Sequence, residues 1–97
     1  MDIRKLLRER KQCDNERRYL LSIGAEPDTK HMKELAQRID YCDRLIFDVP
    51  DGMMRDVLVC RYIKGMSIDE CADELHYSDR QIRRYIKHAV EYLQNRA

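Results

Sequence analysis

Two helix-start signals stand close together near the end of the chain: Ser67 with Glu70 three residues on, and Ser78 with Gln81 three residues on. A serine cap accepts the unpaired N–H of the third helical residue, and a Glu or Gln at that position can bond back to the cap. Between the two signals, Ile68, Cys71, Ala72 and Leu75 recur at the three-and-four spacing of a one-sided helix. The first segment therefore has about two turns, and His76-Tyr77 leaves room only for a tight connection. Two helices so joined must cross steeply, and Ala72 stands where a side chain larger than a methyl would push them apart. Leu75 and Ile82 fill the angle. A capped helix, a three-residue turn and a second capped helix form a helix-turn-helix.

The second helix of the pair is expected from Asp79 to about Gln94. At about 100° per residue, Ile82, Ile86, Ala89 and Leu93 gather on one side, with Tyr85 flanking. Arg80, Arg83, Arg84 and Lys87 form a second stripe, about 150° from the first. It occupies the turns that a recognition helix pushes into the major groove, where arginine can bridge guanine O6 and N7 or hold a phosphate. Acids are nearly absent from this stripe until Glu91, although the chain carries 18 acidic residues against 19 basic ones. Solvated surface charge would not be sorted in this way.

Upstream, a helix is expected from about Ile3 to Ile23, stopped by Gly24 and the turn through Pro27. Its seam is Ile3, Leu6, Arg10, Cys13, Arg17 and Leu20, widened by Leu7 and Leu21 and weakened by the two arginines. A second helix starts near Asp28 or Thr29 and has a cleaner seam in Met32, Leu35, Ile39, Cys42, Ile46 and Val49. Val49-Pro50 marks a boundary, because the residue before proline leaves the helical region. A further helix then carries Met53, Met54, Val57, Leu58 and Ile63 and ends at Lys64-Gly65. The fold class is all-α: an antiparallel helical hairpin over 1–49, then a helix-turn-helix bundle over 50–97. Because a two-helix hairpin leaves apolar surface uncovered, residues 1–49 are expected to join two copies of the chain or to dock on a partner, the alternative being that both helices complete the core of a monomer.

Charge supports this division. Residues 1–23 carry seven basic and four acidic groups, and residues 78–97 carry five and two, so each end is +3; the middle is acidic. The basic start of the first helix (Arg4, Lys5, Arg8 and Lys11) admits the rival idea that it holds phosphates. No run of apolar residues is long enough to cross a membrane, and Met1 opens onto a charged helical pattern rather than a secretory segment. The four cysteines, at 13, 42, 60 and 71, form no C-x-x-C and fall at apolar helical positions, as small hydrophobes do. A reduced, cytoplasmic protein without metal or cofactor is expected. No Gly-rich phosphate loop, paired-carboxylate pocket or nucleophile beside a histidine suggests an enzyme.

The segment VLVCRYIKGMSIDECADELHYSDRQIRRYIKHAVEYL resembles region 4 of the sigma-70-type transcription factors. The matching positions are Arg61-Tyr62, Gly65, Ser67, Glu70-Cys71-Ala72, Leu75, Tyr77-Ser78, Ile82, Ala89-Val90 and Leu93, within residues 54–93. His76 stands where that family often has glycine, which implies a left-handed residue there, and Cys71 replaces Ile or Val. The resemblance implies that Asp79, Arg80, Arg83 and Arg84 face the −35 promoter element, with Ser78 and Lys87 beside them. Asp79 has two readings: it serves the helix dipole, or it accepts from a cytosine amine. Nothing resembles the sigma region that melts the −10 element, so the chain is expected not to be a complete sigma factor. The arrangement is similar to small phage and prophage late-gene activators. The expected function is a sequence-specific DNA-binding transcriptional regulator, with double-stranded DNA as partner, RNA polymerase as a second, and a homodimer through residues 1–49. The alternatives are a phage DNA-packaging adaptor and a polymerase-docking module that does not read DNA.

Overall fold

The computed structural model describes residues 2–96, and among these the only regular structure is helical. Helix α1 spans Ile3–Ser22 and α2 spans Lys30–Phe47; α3 (Gly52–Leu58) runs on into a wider π-helical turn at Val59–Ile63; α4 spans Ile68–Leu75 and α5 spans Asp79–Arg96. Each start has a side-chain cap on the unpaired N–H groups of the first turn. Asp2 accepts from the Lys5 N–H at 3.3 Å, and Thr29 from Met32 at 3.2 Å. Asp51 accepts from both Met53 and Met54 at 3.0 Å. Ser67 and Glu70 form the reciprocal box at 3.1 Å each way. Ser78 and Gln81 repeat it: the Ser78 N–H donates to Gln81 Oε1 at 3.0 Å, and the Gln81 N–H to Ser78 Oγ at 3.2 Å.

The stops are equally local. Gly24 (φ 87°) ends α1, and Gly65 (φ 71°) turns the chain out of the π-helical segment. His76 holds the left-handed conformation at φ 60°, ψ 40°, as the resemblance to region 4 implied for this position. The Tyr77 N–H then closes back on the Ala72 carbonyl at 3.0 Å.

The main core draws on every helix. Ile3 and Leu7 of α1, Ile46 of α2 and Val49 just after it meet Val57, Leu58, Cys60, Cys71 and Ala72. The buried face of α5 (Ile82, Ile86, Ala89, Val90 and Leu93) completes this core. Farther along the hairpin a second, smaller cluster joins Cys13 to Met32 and Leu35, with Leu20 and Ile39 packed beside it. All four cysteines are buried with free thiols. Burial pushes the Cys42 thiol up to about 11, with Arg10 opposing and Asp43, Cys13 and Glu9 adding to the rise. A thiol so protonated is a poor nucleophile.

Arg10 is buried at 7% exposure, on the seam of α1. Its guanidinium meets the Asp43 carboxylate of α2 through Nε at 2.6 Å and Nη2 at 3.4 Å, and its Nη1 donates to the Tyr62 carbonyl at 3.2 Å. One side chain therefore ties both hairpin helices to the π-helical turn. An arginine that the apolar pattern treats as a defect is a satisfied polar link between α1, α2 and the rest of the molecule.

Candidate nucleic-acid interface

Helices α4 and α5 are joined by His76, Tyr77 and Ser78 and form the expected helix-turn-helix. Ala72 is 7% exposed and Ile82 is fully buried, both in the main core, while Leu75 is half-buried against it. With the apolar side of α5 turned inward, Arg80, Arg83, Arg84 and Lys87 are all exposed along its first half. Ser78 and Asp79 are exposed at its start.

These six residues do not have equivalent surroundings. The Ser78 hydroxyl is engaged with Gln81, accepting from its N–H and donating to its Oε1 at 3.2 Å, so this side chain positions α5. Arg84 lies 5.7 Å from the centre of the Tyr85 ring, a cation–π contact, and that ring in turn lies 5.5 Å from Tyr77. Arg83 and Lys87 point the other way, into a cleft that they share with Arg4 of α1 and Arg61 of the π-helical turn. The stripe thus splits along its length into an aromatic side and a cleft side.

Asp79 is hydrogen-bonded to Asp69 from the first turn of α4, and that bond raises its pKa above the ordinary carboxylate value. Desolvation and the charges of Asp69 and Asp73 act the same way, and Arg83 opposes them. The carboxylates of α4 therefore border the basic face at one edge. Asp69 and Arg61 border this face without having been marked by the linear pattern, whereas Arg4 was already named there among the candidates for holding phosphates. For Asp69 a signal existed, because two capped helices so close together bring their first turns near one another. No periodicity relates Arg4 to Arg83.

Among the described residues, no group of three or more His, Cys, Asp or Glu could hold a metal ion. No described helix is long and apolar enough to cross a membrane. Comparison with protein families matches residues 2–97 to the ECF sigma factor family, a span that includes the hairpin as well as the motif at 54–93. No significant match was found among curated proteins or solved structures.

Proposed function

The chain belongs to the ECF sigma factor family, and on that premise we propose that it is a sequence-specific DNA-binding transcriptional regulator whose helix α5 enters the major groove. One observation carries this reading. The second helix of the helix-turn-helix exposes Arg80, Arg83, Arg84 and Lys87 in succession while its opposite face is sealed in the core. Arg80 and Arg84 are the base-reading candidates, Arg83 and Lys87 lie nearer the backbone, Ser78 fixes the start of the helix, and Asp79 modulates the field. RNA polymerase is the second partner we propose, from family membership. A phage or prophage origin is the proposed setting, from the similarity in arrangement to small late-gene activators. We further propose that residues 1–49 serve assembly or docking, and residues 50–97 DNA contact.

Selection from random duplexes with the purified protein, followed by gel-shift titration at fixed salt, tests the central claim. Arg80→Ala and Arg84→Ala are each expected to cost about 1–3 kcal/mol of specific binding and to relax the preference at one base position. Unchanged affinity in both variants removes α5 from the role of reader.

A further inference from the structure

Beside the recognition face lies a cleft of about 690 Å³ bounded by the start of α1, the π-helical turn, the start of α4 and the middle of α5. Its rim carries Arg4, Arg61, Arg83 and Lys87 against only two acids, Asp2 and Glu91. We propose that this cleft seats the DNA backbone: it holds phosphates of the strand beside α5, which makes the N-terminal turn of α1 part of the DNA-binding surface. The proposal rests on the reading of α5 as a major-groove helix and adds a second element to it.

Charge complementarity argues for a polyanion at this place. The Asp2 carboxylate is already engaged, accepting the Lys5 N–H as the cap of α1. Arg4 and Lys87 form no ion pair among the described residues. Asp69 and Asp73 act on Asp79, one turn before Arg83 on the same side of α5, but neither lines the cleft. A phosphate backbone is thus attracted where Arg4, Arg61, Arg83 and Lys87 converge, past the acids at the start of α5.

The cleft is also built before any ligand arrives. The Ile3 N–H donates to Gln94 Oε1 at 2.9 Å, which fastens the first turn of α1 to the last turns of α5. The Arg10 link to Asp43 and the Tyr62 carbonyl holds α1 against the π-helical turn. Arg61, which lines the cleft, donates to the Met66 carbonyl at 2.8 Å, a bond that uses one of its five N–H groups. Walls fixed in this way need little ordering on binding.

The test uses the full chain on a selected duplex, with affinity measured from about 50 to about 200 mM salt. Each phosphate contact contributes about 0.9 to the slope of log affinity against log salt. Arg4→Gln is expected to make the slope shallower by about that amount, so its affinity penalty shrinks about 3.5-fold across the range. Lys87→Gln, from the other wall, is expected to do the same. Lys33→Gln removes an equal charge from the start of α2, and it is expected to leave the slope unchanged. Phosphate-ethylation interference is expected to show a position that weakens the wild type but not Arg4→Gln. Wild-type affinity and slope in Arg4→Gln, or an equal loss in Lys33→Gln, overturns the cleft while leaving α5 as the reader. A wild-type protein that selects no duplex overturns both.

Discussion

Asp69 and Asp79 begin successive helices, and their carboxyls meet where a polyanion is expected to approach. Two carboxylates in hydrogen-bond contact cannot both stay ionised without cost, which is why Asp79 binds its proton above the usual range. A carboxyl whose pKa is raised by folding takes up a proton more readily folded than unfolded. Acidification through that range therefore favours the folded form at this site, and a return to neutral pH loses that gain. The protonated pair also presents one less negative charge to DNA. Asp79→Asn is expected to bind its duplex more tightly than wild type at neutral pH. The ratio of the two affinities should approach one as pH falls into the upper carboxylate range. Fluorescence anisotropy across pH, read as that ratio so that other titrations cancel, checks it; a constant ratio removes the pair from DNA binding. The stripe itself was legible in the sequence, because exposure along one helix follows from residue angle alone. The carboxyl pair was not, nor was the cleft that brings Arg4, itself a candidate from the sequence, beside Arg83, because contacts between distant segments depend on how helices pack.

At the scale of elements, starts and stops followed from side-chain chemistry. Ser67, Ser78 and Thr29 cap where their hydroxyls reach the third N–H, and His76 takes the left-handed stop that the helix-turn-helix spacing required. Two features escaped. A wide turn at Val59–Ile63 leaves no trace in a three-and-four apolar pattern, and Arg10 reads as a weak point in a seam when its partners are unseen. Here the seam is held by charge: Asp43 is part-exposed, while Arg10 is almost wholly buried. Removing one member of a buried pair leaves the other uncompensated, whereas replacing both with apolar groups can be neutral. Asp43→Ala is expected to cost about 3 kcal/mol. The double variant Arg10→Met with Asp43→Leu is expected to recover most of that loss. Urea unfolding of the three proteins checks the pair, and equal midpoints for wild type and Asp43→Ala would show that α1 is held by packing alone.

On the scale of the whole molecule, α1 and α2 do two jobs at their two ends. At one end Ile3, Leu7, Ile46 and Val49, each at most 1% exposed, are parts of the main core. Burying four such side chains contributes about 6–12 kcal/mol, close to the whole stability of a small domain, about 5–15 kcal/mol. Deleting residues 1–49 therefore removes the fold along with any assembly function, and a point substitution at the far end is the sharper probe. There Tyr19, in the last turn of α1, is 63% exposed and Ile23, the residue that follows the helix, is 62% exposed. If the proposed homodimer forms through the hairpin, these side chains are its most accessible apolar contacts. Ile23→Asp is then expected to convert a dimer into a monomer at tens of micromolar protein, with a melting temperature equal to wild type only at dilutions where both proteins are monomeric, because little of Ile23 is buried within one chain. Binding to an operator with two half-sites should weaken in that variant, since the second contact no longer acts at high effective concentration. Binding to one half-site should stay the same. Sedimentation velocity beside paired gel shifts measures both, and a monomeric wild type rules out the dimer and leaves the end of the hairpin as a surface for RNA polymerase.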